Sequence, residues 1–264
     1  MPGVNPASPF YQALNRALPQ RGVTLGQLCP DGDRVAQRVL HDYGAMFVGA
    51  ESILTPPVCV FTSERDVSQF QTAAGWAAAT IGEATVELQP AAMAALLRAR
   101  ATASKEGLDI TPRDGAEAAR RDYTDTVRLW NSRFLPALEH WRNKGRLTGD
   151  QVGRLRTLPI NSQVSEVLEL EKQGIFFSKD LSKSVLYSIA APGSSQHIAM
   201  LAFDVNEFFD ARVREIMAAE GWFQTVLSDL PHFTFLGLAE SRLPQHGLKA
   251  VEANGQEFWI PDVL

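Results

Sequence analysis

Apolar positions recur at helical spacing in several long stretches of the chain. Residues 34–43 carry them on one face and are followed by a glycine, which predicts a helix that ends there. Ser63 can cap a further helix, because an acidic residue follows it three positions later, as in a capping box. Residues 90–105 begin with proline and are rich in Ala and Leu, which favours another helix. Residues 115–173 are helical in pattern almost throughout, although Pro136 predicts a kink or break.

Short apolar runs bounded by Gly, Pro or polar residues predict strands between these helices. The predicted strands are 45–48, 58–61, 108–113, 175–177, 185–189, 201–205, 222–227 and 232–236. An amphipathic helix is expected at 207–220. Residues 1–30 are rich in Pro, Gly and Gln, and we expect them to lie irregularly over the surface. The chain shows no internal repeat.

The composition is that of an ordinary globular protein. The chain has 264 residues, 45% hydrophobic and 21% charged, enough for one large domain or a core with an appendage. The net charge of −5 and the pI near 5.6 argue against nucleic-acid binding, and we interpret Arg120 and Arg121 as part of a solvated helix face. No apolar run approaches the roughly 18 residues of a membrane span. The first residues lack the pattern of a signal peptide.

Cys29 and Cys59 both lie in the first quarter of the chain. A disulfide between them would close a loop of about thirty residues and would stabilise the fold by roughly 3–4 kcal/mol in the chain-entropy model. Two unrelated buried thiols are the alternative, and the sequence leaves both open. Two cysteines are too few for a cysteine-based metal cluster.

Three residues in the last third of the chain have the chemistry of zinc ligands. His197 and Asp204 lie in the segment Ser-Gln-His-Ile-Ala-Met-Leu-Ala-Phe-Asp, and His232 follows Leu-Pro beyond the next predicted helix. Two imidazoles and one carboxylate neutralise only part of the charge of a divalent cation. They also leave a fourth coordination position for water, as in catalytic zinc sites. All three fall on or beside predicted strands, which are rigid enough to hold coordination geometry.

The residues around these positions resemble a known family. The pattern Ser-x-His-x6-Asp, followed by an acidic residue three positions before a second His, is similar to that of zinc D-alanyl-D-alanine carboxypeptidases and dipeptidases. These enzymes share a superfamily with lysostaphin-type peptidases and hedgehog signalling domains. The resemblance extends to the Gly-Leu step at 107–108 and the segment after it, to Pro-Gly-Ser-Ser at 192–195 and to Gly-Trp-Phe at 221–223. It covers roughly residues 88–240.

The resemblance implies an α+β fold of the hedgehog/DD-peptidase-like type, in which a small antiparallel sheet carries the zinc site. Residues 88–264 would form the zinc-peptidase-like domain, with a large helical insertion at about 125–185. Residues 1–87 would form an N-terminal α/β appendage, whose role the sequence does not reveal.

The resemblance also implies roles for individual residues. The three candidate ligands would bind Zn2+. Asp229 takes the position of the family's catalytic Glu, whose side chain is one methylene longer than that of Asp. Asp229 would take a proton from the metal-bound water. Arg113 would hold the free carboxylate of the substrate, and Ser195 would hydrogen-bond the substrate or the loop near the metal. Met200 stands where the family carries a Gly.

These implied roles predict a zinc metallopeptidase that hydrolyses short peptides by a metal-activated water. The expected substrates are D-Ala-containing peptidoglycan stem peptides, cleaved in the manner of a carboxypeptidase. A cell-wall substrate implies a periplasmic or extracellular location. One alternative is a non-catalytic, zinc-containing binding or structural module of the same fold. Another is a helical interaction protein without metal, based on the helical stretch at 115–173.

Overall fold

The computed structural model describes residues 5–264, which form an α+β structure dominated by helices. The α-helices are α1 (Pro9–Gln20), α2 (Leu25–Leu28), α3 (Arg34–Tyr43), α4 (Glu64–Ala74), α5 (Pro90–Lys105), α6 (Tyr123–Asn143), α7 (Gly149–Thr157), α8 (Ile160–Glu171) and α9 (Ala211–Ala219). The strands are β1 (Ala77–Ile81), β2 (Ala84–Leu88), β3 (Ala202–Asp204), β4 (Trp222–Gln224), β5 (His232–Phe235), β6 (Leu248–Ala253) and β7 (Gln256–Pro261). They form small antiparallel sheets in the orders β1–β2, β3–β5–β4 and β6–β7.

Several helix starts predicted from the sequence are confirmed. The Ser63 hydroxyl accepts the backbone N–H of Asp66 at the start of α4. Pro90 is the first residue of α5, where a missing N–H costs nothing, and the helix ends at Lys105 as expected. The Asp33 carboxylate caps α3 by accepting two backbone N–H groups of its first turn.

Of the kink or break predicted at Pro136, the break does not occur: α6 continues through this residue. An internal proline costs about 3 kcal/mol. Large side chains of the same helix are buried, and burial of each contributes roughly 1.5–3 kcal/mol, which together outweighs that cost. These side chains are Trp130, Phe134 and Leu138.

No helix within residues 5–264 combines the length and apolar character that crossing a membrane requires.

Several predicted strands are wrong. Residues 45–48 lie in the 3-10 helix Gly44–Val48, and Val185–Tyr187 form another 3-10 turn. Residues 58–61, 108–113 and 175–177 are irregular, although Pro112 forms one isolated bridge to Val205. Many of these residues are buried. Their apolar character therefore reflects burial, which a short run cannot distinguish from an extended backbone.

The two ends of the chain also differ from expectation. Residues 9–28, expected to be irregular, contain α1 and α2. The hairpins β1–β2 and β6–β7 were not predicted, because their strands are partly exposed and carry no long apolar run.

The sheet β3–β5–β4 carries two of the three predicted metal ligands, Asp204 and His232. Its central strand β5 is antiparallel to both neighbours, and every residue of the three strands is buried. Asp204 on β3 pairs in register with His232 on β5. The strands predicted in this region are confirmed, although each is shorter than expected.

The N-terminal segment shares one hydrophobic core with the rest of the described chain. The Phe61 N–H donates to the Gly193 carbonyl over 2.9 Å. The Gln71 side-chain amide donates to the Ile198 carbonyl of the same loop, residues 192–200, over 3.1 Å. The Gln89 amide, just beyond the segment, donates to the Ala199 carbonyl over 2.7 Å. The segment therefore supports the loop that leads into β3.

Cys29 and Cys59 are buried, free thiols. The neighbouring thiol of Cys59 lowers the pKa of Cys29, and burial opposes this shift. The thiols are thus neighbours, and a disulfide between them remains a prediction for oxidising conditions.

Candidate metal centre

The three residues predicted as metal ligands converge. His197 Nε2 lies 3.3 Å from Asp204 Oδ1, and His232 Nδ1 lies 3.1 Å from the same oxygen. One ligand atom from each residue lies within 4.8 Å of the other two, and all three residues are buried. The cluster could therefore hold a metal ion.

Neighbouring elements bring these side chains together. Asp204 ends β3 and His232 begins β5, and the antiparallel register places them directly opposite. His197 lies in the 192–200 loop, in a turn closed by the Met200 N–H, which donates to its carbonyl over 3.1 Å. The two imidazole rings pack edge to face with centroids 4.9 Å apart.

Each histidine ring also meets an oxygen on the side away from Asp204. His197 Nδ1 lies 2.9 Å from the Ala119 carbonyl, and His232 Nε2 lies 2.7 Å from Gln196 Oε1. Both oxygens can only accept hydrogen bonds, so each of these nitrogens carries the proton. The inward nitrogens, His197 Nε2 and His232 Nδ1, then direct lone pairs at Asp204 when the rings are neutral. Metal-binding histidines commonly have an outer partner of this kind.

This arrangement concentrates hydrogen-bond acceptors at one point. Two nitrogen lone pairs facing a carboxylate oxygen repel it unless a proton or a cation lies between them. Burial, assisted by Arg121 and opposed by Asp204, lowers the pKa of His197 to about 4. Burial alone would raise the pKa of Asp204, but His197 and His232 outweigh it and keep that pKa well below the usual value. Near neutral pH, His197 and Asp204 therefore have the protonation states in which they bind metals.

Arg121 neutralises the other oxygen of Asp204, a contact that the sequence did not suggest. Its Nη2 donates to Asp204 Oδ2 over 2.8 Å. The interpretation of Arg120 and Arg121 as a solvated helix face is wrong. Arg120 pairs with Glu87 over 2.7 Å and lies over the ring of Trp76. The two arginines precede α6 and connect it to the metal centre and to the β1–β2 hairpin.

A cavity of about 370 Å³ lies beside the cluster. Its walls include His197, His232, Ser195 and Asp229, but not Asp204. The Ser195 hydroxyl accepts the backbone N–H of His197 over 3.3 Å. The histidine side of the cluster therefore faces the cavity, and two further predicted site residues lie there with it.

Asp229 stands at the exposed edge of this cavity, three residues before His232. Its carbonyl accepts the His232 N–H over 3.2 Å, which closes a turn between them. Desolvation by surrounding protein atoms raises the pKa of the Asp229 carboxyl group, and His232 opposes that rise. Within residues 5–264 the ion pairs of the site do not include this carboxylate, so it remains free to meet a ligand.

Arg113 and Arg133 both lie near the site, but their side chains contact different groups. The Arg113 guanidinium lies 5.6 Å from the ring centroid of Phe208 and is not part of the cavity wall. Its backbone N–H donates to the Asp204 carbonyl over 2.8 Å, and its charge opposes the rise in the pKa of Asp229. Arg133 on α6 does line the cavity, and its Nε donates to Ser188 Oγ over 3.0 Å. No motif marked Arg133 in the sequence, because it belongs to a long helical stretch.

Comparison of the chain with protein-family models, with curated proteins and with solved structures gave no match. The functional interpretation therefore rests on the geometry of the site. Its central features are two imidazoles and a carboxylate that converge beside a cavity.

Proposed function

We propose that the protein is a zinc-dependent peptidase that hydrolyses short peptides. One observation carries this proposal: two imidazoles and a carboxylate converge beside a cavity whose walls include both histidines and a further acid, Asp229, which within residues 5–264 takes no part in the ion pairs of the site. A donor set of two nitrogens and one oxygen suits zinc, and the cavity offers room for the fourth ligand of a catalytic site. Bound zinc would lower the pKa of its water and polarise a peptide carbonyl.

In this proposal the protein's own groups orient the site and move protons. Asp229 takes the proton of the attacking water and passes it to the leaving amine. Its raised pKa makes the carboxylate a stronger base for the first transfer. Arg121 holds Asp204 by Oδ2, so that Oδ1 stays directed at the histidines. Ser195 holds the backbone of His197.

The resemblance to zinc D-alanyl-D-alanine carboxypeptidases and dipeptidases supports a peptide substrate. Met200 has a φ of 54°, in the left-handed region that favours glycine, at the position where that family carries Gly. Pro112 bridges to Val205 and places the segment compared with the family's arginine strand beside β3. These features are expected of a diverged relative. We therefore propose D-Ala-containing peptidoglycan stem peptides as substrates, and with them a periplasmic or extracellular location.

The cavity offers a different residue from Arg113 for the substrate's carboxylate. Arg133 lines the same cavity as Asp229. Its Nε bonds Ser188 and its Nη1 bonds a neighbouring serine, which leaves three of its five N–H groups for a ligand. Leu129, one helical turn earlier, adds apolar wall beside it. We propose that Arg133 holds the free carboxylate, which would make the protein an exopeptidase.

Metal analysis combined with a hydrolysis assay tests the proposed reaction. The wild-type protein should hold about one zinc ion per chain and should cleave an N-acetylated peptide that ends in D-Ala-D-Ala. The Asp229→Asn variant should keep its zinc and lose at least about 100-fold in rate, the lower end of what general acid–base catalysis contributes. Stoichiometric zinc in a wild-type protein that cleaves no peptide would refute hydrolysis and leave the metal site standing.

The role of Arg133 is tested with the same peptide and its C-terminal amide. Arg133→Ala should raise KM for the free acid by about ten-fold or more and leave KM for the amide unchanged. Arg142→Ala is the matched control, because Arg142 lies on the same helix, pairs with Glu139 and does not line the cavity. If Arg113→Ala removed the preference for the free acid and Arg133→Ala did not, Arg113 would hold the carboxylate.

A non-catalytic zinc module is the second candidate, and the position of Asp229 favours it. This acid stands at the exposed edge of the cavity and is one methylene shorter than the family's Glu. The second candidate predicts that wild-type protein binds zinc and peptide without cleaving the peptide. It also predicts that Asp229→Ala leaves both kinds of binding unchanged.

A further inference from the structure

The buried side-chain amide of Gln196 connects the metal centre to the N-terminal segment. Its Oε1 lies 2.7 Å from His232 Nε2 and accepts the Thr234 hydroxyl over 2.6 Å. Its Nε2 donates to the Tyr43 carbonyl over 2.8 Å. Only 1% of Gln196 is exposed, so bulk water does not compete for these partners.

Only one orientation of this amide satisfies all its neighbours. A backbone carbonyl only accepts hydrogen bonds, so the amide nitrogen faces Tyr43 and the amide oxygen faces His232 and Thr234. Thr225 Oγ1 lies 2.7 Å from Thr234 Oγ1 and donates to it, because the Thr234 proton is directed at Gln196. Every group is then satisfied, provided that His232 carries a proton on Nε2.

That proton placement determines what His232 offers to a metal. In the neutral ring, the lone pair is on Nδ1, the nitrogen 3.1 Å from Asp204 Oδ1. The opposite tautomer would place a proton on Nδ1, where it would bond Asp204 and occupy the metal's position. It would also set two acceptors, His232 Nε2 and Gln196 Oε1, 2.7 Å apart in a buried environment. The Gln196 amide disfavours that tautomer.

We propose that Gln196 is a positioning residue, which fixes the tautomer and orientation of His232 for metal binding. The N-terminal segment takes part through the Tyr43 carbonyl, since this acceptor fixes the orientation of the amide. Residues 1–87 therefore contribute to the metal centre, beyond any separate role of their own. This inference rests on the proposed metal site and does not require peptide hydrolysis.

Three substitutions separate a positioning role from a general structural one. Gln196→Leu removes both halves of the amide. Gln196→Glu keeps an acceptor for His232 Nε2–H and loses the donor to Tyr43. Gln163→Leu is the matched control, because Gln163 is a buried amide of α8 that accepts from Trp130 and does not line the cavity.

Two measurements report on the site independently of activity. Competition with a chromogenic chelator gives the Zn2+ dissociation constant. Nitrogen-15 NMR of the imidazole nitrogens gives the tautomer of His232 in the metal-free protein. In the wild type, His232 should carry its proton on Nε2 with and without zinc. Gln196→Leu should weaken zinc binding by about 10- to 100-fold, as loss of an outer partner typically does, and should populate the Nδ1–H tautomer.

The other two variants should behave differently. Gln196→Glu should keep the Nε2–H tautomer and bind zinc no more than about three-fold more weakly than the wild type, because the acceptor remains. Gln163→Leu should match the wild type in both measurements. The proposal is overturned if Gln196→Leu binds zinc as tightly as the wild type, or if Gln196→Glu is as weak as Gln196→Leu.

If Gln196→Leu does not fold, the protonation of His232 in the metal-free wild type still tests the proposal. A neutral His232 ring that carries its only proton on Nδ1 in the metal-free wild type would contradict the proposal directly. A wild-type protein that binds no zinc would refute the proposed metal site and this role of Gln196 together. Zinc binding with the expected variant effects, but without peptide hydrolysis, would refute only the enzymatic function.

Discussion

Asp204 and His232 face each other across the β3–β5 ladder, with 3.1 Å between Oδ1 and Nδ1. Residues paired in register on antiparallel strands project from the same face of the sheet. Two of the three candidate ligands are therefore positioned by a rigid backbone. His197 comes instead from the 192–200 loop, which Gln71 and Gln89 hold by their side-chain amides. The loop half of the site thus depends on the N-terminal segment, which contributes Gln71, and on Gln89 immediately after that segment.

Replacing any one of the three ligands should remove tight metal binding. We expect His197→Ala, Asp204→Ala and His232→Ala each to weaken zinc binding by more than the 10- to 100-fold that loss of an outer partner typically costs. Chelator competition and metal analysis after dialysis measure this effect. His140→Ala is the control, since His140 lies on α6 outside the cavity wall and should leave the affinity unchanged. A ligand variant with wild-type affinity would remove that residue from the set.

The ligands could be predicted from the sequence because local spacing determines much of their arrangement. One loop and one strand carry His197 and Asp204, and the next strand of the sheet carries His232. Their hydrogen-bond partners could not be predicted in the same way. The Ala119 carbonyl reaches His197 across 78 residues of sequence, and a backbone carbonyl has no side-chain signature. The placement of Arg121 likewise depends on tertiary packing that no local pattern reports.

Some elements of the fold were predicted correctly and others were not, for a related reason. Helix boundaries in α5 follow from a proline and a run of good helix formers, which act locally. The apolar residues 45–48 are buried as expected, but four residues are too few to distinguish a strand period from a helical one. Packing against α1 and α3 accompanies the 3-10 turn that they form.

Gly193 should tolerate no side chain. It has a φ of 81°, and a Cβ there would lie 2.0 Å from the Phe61 carbonyl oxygen. Phe61 in turn donates its N–H to Gly193, so the two backbones cannot separate without losing that bond. We expect Gly193→Ala to lower the free energy of unfolding by about 2–5 kcal/mol through backbone strain and overpacking, and to weaken zinc binding.

Gly174→Ala provides the comparison for Gly193. Gly174 has a φ of 75° but open space around its Cα, so alanine there should cost only the strain of about 1–2 kcal/mol. Urea denaturation of both variants, with zinc titration of each, measures the difference. Equal destabilisation of the two variants would show that the approach of Phe61 does not matter.

At Met200, the usual order of stability should be reversed, so that the glycine variant is more stable than the alanine variant. Its φ of 54° strains any residue with a Cβ, while its side chain is fully buried. Met200→Ala loses the buried side chain, at a cost of about 2–5 kcal/mol, and keeps the strain. Met200→Gly loses the same contacts but relieves about 1–2 kcal/mol of strain, so both variants are destabilised and the glycine variant should be the more stable. Ala199→Gly, at a neighbouring residue without a positive φ, should only destabilise.

The metal-free protein should lose stability as the pH falls from about 6.5 to 4, because burial lowers the pKa of His197 from 6.5 to about 4. In that window the unfolded chain binds a proton that the folded chain does not, so the free energy of unfolding falls with decreasing pH. Above about pH 6.5 this group has no effect, and the total loss is on the order of 3 kcal/mol. Asp204 contributes only in stronger acid, because its pKa is already held below its usual value.

Urea unfolding of zinc-stripped protein between about pH 7.5 and 4 tests this dependence. His197→Gln cannot take up a proton, so its stability should vary less with pH than that of the wild type. His140→Gln, outside the cavity, should keep the wild-type slope. Equal slopes for the wild type and His197→Gln would show that burial does not lower the pKa of this ring, which would then take up its proton over the same pH range in the folded and unfolded states. Below about pH 6.5 its Nε2 would carry a proton and not the lone pair that a metal needs.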